Sequence, residues 1–442
     1  MVTSNEKLIE ESVVKKIMRR PMAILFVVYI LNFLDRTNIG IAKLHMASDL
    51  GLSEAAYGLG AGLFFIGYIL FEVPSNLILY RVGARFWITR IMITWGIVSA
   101  AMAFVESETW FYILRFLLGV AETGLVPGVM LYLTQWIPNA NRAKIIALFY
   151  LAVPVSTIIG APISSWLLEM DVFGMVGWRF MFLAEGIPSV LFALVVWLGL
   201  TDKPEEAKWL TEEERNWLTG KLKAEKVIQD GNTHSTSTTL GALKDPLVIG
   251  MSVCYFCMVI PLYALSFFLP SIVKQMGNGE FSSLTIGLLT AIPYIFASIG
   301  LILISKSSDR MNERTYHYAT PALFGALCLA LAGFTISSSP IFSLIAIGFG
   351  AIGCISTLPP LWAQMPLMVK GVAVAGGIAI INSFGNIAGF LSPYLIGILR
   401  DSSANPESAT QVSMLAVAGS LAVAGIVMIM VGRGIKTKIS LQ

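Results

Sequence analysis

Four charged residues stand in stretches that are otherwise apolar. The run NFLDRTN sets Asp35 and Arg36 side by side, and LRFLLGVAETG sets Arg115 and Glu122 seven residues apart. Seven residues make two helical turns, so Arg115 and Glu122 share a helix face. Along the axis they are about 10 Å apart, too far for direct contact. Each can instead meet Asp35 or Arg36. Two acids and two bases in one place can trade protons against the charge of a bound solute. Desolvation favours the neutral acid and a neighbouring Arg favours the carboxylate, and that balance lets the group load and release a proton. Arg36 has the chemistry to hold an anion, because guanidinium pairs carboxylate in a bidentate fork. The bland reading is an ion-pair cluster that only locks helices together, and it stays open for Arg115 above all.

The elements that position these residues follow from composition. The chain has 442 residues, 56% hydrophobic and 13% charged, with a mean hydropathy of +0.76. Soluble proteins carry roughly 25% charged residues, so lipid is the natural solvent here. A net charge of +3 is too small to point to nucleic acid. Cys254-x-x-Cys257 lacks the second Cys or His pair that completes a metal site, so these cysteines read as small buried side chains. The polar start MVTSNEKLIEESVVKKIMRR has no cleavage site and does not read as a secretory signal.

Segments of roughly 20 apolar residues mark about twelve spans. They run near 22–42, 57–79, 86–105, 109–135, 144–168 and 179–200, then 246–273, 283–305, 316–337, 340–365, 371–399 and 411–432. The expected organisation is an N-terminal segment 1–21, a six-helix bundle 22–200, a central loop 201–245, a second bundle 246–433 and a tail 434–442. The loop opens with an amphipathic stretch, TDKPEEAKWLTEEERNWL, and closes on a linker-like DGNTHSTSTT. Lys15, Lys16, Arg19, Arg20, Arg81, Arg85, Arg142, Lys144, Lys306, Arg310, Arg314, Lys370, Arg433, Lys436 and Lys438 collect on one side, with the central-loop lysines. The other side holds little beyond Lys43, Lys274 and Arg400. The positive-inside rule then places both termini and the central loop in the cytoplasm.

An internal repeat supports this division. YRVGAR after span two and DRMNER after span eight begin 229 residues apart, at Tyr80 and Asp309. Pro138 and Pro366, and Arg142 and Lys370, are each separated by 228, and Gly160 and Gly389 by 229. Parallel repeats put the substrate site at their interface near the membrane midplane. The two halves are chemically unequal. Spans seven to twelve contain no Asp, Glu, Lys or Arg in their interiors and offer Tyr263, Trp362, Gln364, Asn382, Ser383 and Asn386 instead. Asn382 and Asn386, one turn apart, either line the site or bond helix to helix. Glu72 and Arg90 read as anchors near the cytoplasmic ends.

The twelve spans and the paired post-span motifs resemble the major facilitator superfamily. LDRTNIG, VPSNLILYRVGAR, RFLLGVAETG and the SDR-x-x-ER run resemble its anion:cation symporter family over nearly the whole chain. The resemblance implies an all-α membrane protein of twelve transmembrane helices in two pseudo-symmetric six-helix bundles, in the inner membrane, with the lipid bilayer and no nucleic acid as partner. It implies proton sites at Asp35 and Glu122, carboxylate binding by Arg36, a charge-network role for Arg115, and a site lined by Tyr68, Trp362 and Asn382. Phe33 stands where galactonate-type members carry Tyr, and Tyr80 where the first motif usually has Asp. The expected function is a monomeric, proton-coupled importer of a small organic anion, a sugar acid or hydroxycarboxylate. An aromatic carboxylate such as phthalate or hydroxyphenylacetate is the second candidate, and a non-coupled facilitator or exporter the third. The proton is the coupling ion and no cofactor is expected. No nucleophile motif, paired-histidine site or attached soluble domain suggests an enzyme.

Overall fold

The structure, a computed structural model, describes residues 4–138, 141, 145, 148–172, 174–231, 245–368 and 372–440. Arg142, Lys144, Lys370 and the linker over 232–244 lie outside the described residues.

In hydrocarbon every backbone N–H and C=O must be satisfied within its own segment, so an apolar chain of this kind becomes helix. The helices are α1 (Ser4–Arg19), α2 (Pro21–Asp49), α3 (Glu54–Val82), α4 (Ala84–Ala101), α5 (Glu108–Glu122), α6 (Leu125–Trp136), α7 (Ala152–Leu168) and α8 (Gly177–Gly199). After α9 (Glu212–Gly231) come α10 (Pro246–Met276), α11 (Ser283–Met311), α12 (Thr315–Thr335), α13 (Pro340–Ile355), α14 (Leu358–Met368), α15 (Val372–Asp401) and α16 (Pro406–Ser440). Starts carry the expected chemistry. Ser53, Ser107 and Ser282 cap α3, α5 and α11 through their side chains, and Pro opens α2, α10 and α13.

Eleven segments among the described residues are long and apolar enough to cross a membrane. The remaining long helix, α15, runs 30 residues and lies between α3 and α10, both of which qualify. Two six-helix bundles result, α2–α8 and α10–α16, with α5–α6 and α13–α14 each forming one interrupted span. The side chains facing outward are large and apolar, such as Leu191, Leu198 and Ile341, as lipid contact requires.

The bundles meet along two matched seams, α3 against α15 and α7 against α11, with α2 beside α10. These seams join spans two and eleven, and five and eight, and are exchanged by a two-fold operation. The same repeat shows in the backbone: Gly83 (φ 90°) and Asn312 (φ 47°) close α3 and α11 in the positive-φ region, 229 residues apart.

Three features differ from the sequence expectation. The polar N-terminal segment is a helix, α1, packed on α9 through Lys16 Nζ and Ser12 Oγ donating to Glu214 at 2.6 and 2.7 Å. The span 109–135 breaks at Thr123–Gly124, where Gly124 has φ 90° and an added Cβ would lie 2.2 Å from Ser75 Oγ. Lys43 is not a loop residue: it is buried in α2, its ammonium held by Glu54 at 2.6 Å and resting over Phe268 and Tyr57.

Candidate functional site

The middle of α2 carries Asp35 and Arg36, which face different neighbours. Arg36 Nη2 donates to Glu122 Oε2 at 2.8 Å. Its Nη1 reaches the hydroxyl of Tyr263, on α10 of the other bundle, at 3.4 Å. Glu122 is fully buried at the last position of α5, just before the break at Thr123. Among the described residues its Oε1 and Arg36 Nε have no hydrogen-bond partner.

Asp35 turns away from both arginines. Its carboxylate accepts from Trp95 Nε1 (2.7 Å), Ser99 Oγ (2.8 Å) and Ser189 Oγ (3.3 Å), on α4 and α8. The expected single cluster of two acids and two bases therefore divides in two. Arg36 and Glu122 form an ion pair near the bundle interface, and Asp35 sits behind it among neutral donors.

Arg115 meets neither acid. It is buried, its Nη2 lies 3.4 Å from the carbonyl of Ala61, and its guanidinium rests 5.4 Å over the ring of Phe64. The guanidinium of Arg36 lies 4.8 Å over that same ring. Phe64 thus serves as the shared π partner of two cations, which partly offsets their burial. Composition could not reveal this, because α3 offers several equivalent aromatics.

Around Arg36 the lining is aromatic. Tyr68 lies 5.7 Å from its guanidinium, and Phe65 packs edge-on to Tyr263 at 4.5 Å. On α10, two turns before Tyr263, Tyr255 carries Trp362 packed edge-on against its ring at 5.1 Å. Asn382 donates to Glu72 Oε1 at 3.0 Å across the α3–α15 seam. Glu72 is therefore bonded between bundles rather than reaching for the membrane surface.

The bundles are tied firmly at the face opposite the termini. Glu54 accepts from Lys43 and from Arg400 of α15, the latter at 2.7 Å. Asp401 accepts from the backbone N–H groups of Glu54 and Ala55 and so caps α3 from the other bundle. Tyr57 donates to the carbonyl of Phe267, and Glu169 accepts from the N–H of Leu284.

A buried charge pair at the interface of two matched helical bundles is the arrangement of a carrier. The family model described as Major Facilitator Superfamily matches residues 25–393 and, separately, 251–438. The chain belongs to the Major Facilitator Superfamily. It is a multi-pass membrane protein and a secondary transporter, not an enzyme. A protein of Agrobacterium vitis named "Putative tartrate transporter" is 46% identical over 96% of this chain and 96% of its own length. The "Quinolone resistance transporter" of Acinetobacter baumannii is 41% identical over 90% of each chain. The "Inner membrane transport protein RhmT" of Escherichia coli is 38% identical over 87% of this chain and 88% of its own. These relatives agree with the anion:cation symporter motifs. The fold matches the bacterial homologue of the human lysosomal transporter Spinster with a TM-score of 0.73, 18% identity, and coverage of 93% of this chain and 96% of that one. It matches the xylose transporter XylE with a TM-score of 0.72, 16% identity, and coverage of 92% and 95%.

One feature of this facilitator escapes the motif reading. Glu185 in α8 is a buried acid within an apolar span, the same signal that singles out Asp35, yet it lies in none of the family-like motifs.

Proposed function

We propose that the protein imports a small hydroxycarboxylate, tartrate or a close relative, together with protons. The observation that carries this reading is the Arg36–Glu122 pair at 2.8 Å, with Tyr263 of the other bundle 3.4 Å from the same guanidinium. A substrate carboxylate that takes the Arg36 fork leaves Glu122 without its cation. An unpaired buried carboxylate is expensive, so Glu122 takes up a proton as the substrate binds. Anion and proton then cross together. Asp35 is the second expected proton carrier, and Tyr68, Trp362 and Asn382 line the substrate position. The tartrate name of the 46% relative supports the choice of a hydroxy diacid. The basic face is cytoplasmic in this reading, and the inner-membrane name of RhmT agrees with its location.

The test is uptake of labelled tartrate into proteoliposomes under an imposed proton gradient. Accumulation that collapses with a protonophore is the expected result. Uptake at full rate without a gradient would sink proton coupling.

A second reading keeps the fold and changes the cargo to an aromatic carboxylate. The Tyr255–Trp362 ring pair of the second bundle favours it, and so does the quinolone-resistance relative, since quinolones carry a carboxylate on a fused ring. Competition of tartrate uptake by phthalate, hydroxyphenylacetate and a quinolone separates the two cargoes.

A further inference from the structure

Glu185 lies apart from the assembly around Arg36. It is 6% exposed, and both its oxygens are engaged. Asn38 Nδ2 donates to Oε2 at 2.8 Å, and Ser164 Oγ contacts Oε1 at 2.5 Å. Among the described residues no cation lies within ion-pair distance of it. A full carboxylate charge held only by neutral donors in a membrane is costly. The neutral acid fits the same surroundings, because its O–H can donate to Ser164 Oγ while the other oxygen still accepts from Asn38. Both protonation states are thus accommodated without moving a neighbour.

Asn38 and Ser164 also line a cavity of about 20 Å³ between the bundles, together with Thr157 of α7 and Thr290 and Tyr294 of α11. Asn38 Oδ1, Thr157 Oγ1 and Thr290 Oγ1 are buried polar atoms without protein partners. A space of that size with several free polar groups suits one water. It lies on the α7–α11 seam, so it opens when the bundles part.

We propose that Glu185 is a third proton-binding carboxyl, beside Glu122 and Asp35, loaded from this interface cavity. This rests on the proton-coupled reading above and adds a site to it. The step is simple: a hydronium ion gives its proton to the Glu185 carboxylate and leaves as water. The charged group facing Glu185 from α2 is Asp35, linked through Ser189, which sits one turn along α8 and bonds both Asp35 and the Glu185 carbonyl. From α7, among the described residues, it is bonded by Ser164. From α4, Trp95 and Ser99 are committed to Asp35. Arg179, at the start of α8, is held by the carbonyl of Ala103. Loading Glu185 removes one of two negative charges buried in this part of the bundle and so eases the repulsion on Asp35.

Two measurements test it. The infrared spectrum of the lipid-embedded protein, without substrate, is followed from acid to alkaline pH. The wild type should show a protonated-carboxyl band that falls as pH rises, and Glu185→Gln should lack that band while Asp35→Asn and Glu122→Gln retain it. A spectrum unchanged in Glu185→Gln overturns the proposal. In proteoliposomes Glu185→Gln, which keeps hydrogen-bonding groups for both Asn38 and Ser164, should lose gradient-driven tartrate accumulation yet retain counterflow exchange. Wild-type accumulation in that variant also overturns it. If the wild type itself moves tartrate without a gradient, the proton-coupled reading fails and the spectrum alone decides whether Glu185 binds a proton.

Discussion

The 2.8 Å contact between Arg36 Nη2 and Glu122 Oε2 joins the middle of α2 to the end of α5, at the point where the fourth span breaks. In the proposed mechanism it is the charge pair that a substrate carboxylate replaces. Arg36→Ala should reduce binding and uptake to background. It should also destabilise the protein by about 3–5 kcal/mol, the cost of leaving one member of a buried pair alone. Glu122→Gln should abolish driven accumulation and preserve counterflow exchange. Thermal unfolding of the single and double variants checks the pairing: the double change should cost less than the sum of the singles.

Phe64 supports two guanidinium groups at once, Arg36 at 4.8 Å and Arg115 at 5.4 Å. Phe64→Leu stays apolar, gives up some volume and removes the π face, whereas Phe64→Met loses the face with less change of shape. Each desolvated cation–π contact is worth about 2 kcal/mol, so unfolding should shift downward and transport should fall. Phe64→Tyr, which keeps the π face at nearly the same volume, should retain more of both. Unchanged stability in Phe64→Leu would show that the ring only fills space.

Glu54 is the hub of the closed face, shared by Lys43 and Arg400. Glu54→Gln should weaken the tie between bundles and raise the population open on that side. A single cysteine placed at Ala55 in a variant lacking the four native cysteines reports this as faster labelling from the side opposite the termini. An added Cβ at Gly58 would lie 2.2 Å from the carbonyl of Pro393, so Gly58→Ala should force α3 and α15 apart and give the same labelling change with slower transport.

Glu214 offers a pH test outside the membrane. Burial pushes its carboxyl up, but hydrogen bonds from Lys16, Ser12 and the Thr211 N–H outweigh that and hold it at about 2 against an ordinary value of 4.5. A folded-state value below the unfolded one stabilises the docked state above the ordinary value. The docking of α9 on α1 should therefore be intact at neutral pH and weaken progressively as pH falls from 4.5 towards about 2. Hydrogen exchange across α9 measures it. Glu214→Gln should show the acid-type exchange at neutral pH.

Much of this molecule is determined by its sequence alone. Long apolar runs in lipid have no alternative to helix, so the spans, the two bundles and the 229-residue repeat are legible from residue types and spacing. So is the unusual placing of Asp35, Arg36 and Glu122, because a charge inside such a run stands out by its cost. Partners are another matter. Whether Asp35 pairs with Arg36 or with Trp95, Ser99 and Ser189 depends on how α2 is rotated against α4 and α8. No local pattern encodes that angle; the packing of whole helices sets it. The same packing brings Phe64 between two arginines, draws Lys43 out of the expected loop onto Glu54, and carries Asn382 to Glu72 across the bundles. It also sets Glu185 beside the interface cavity, although residues 38, 164 and 185 lie far apart in the chain. Sequence shows which charges are costly, and only the tertiary structure decides what each one meets.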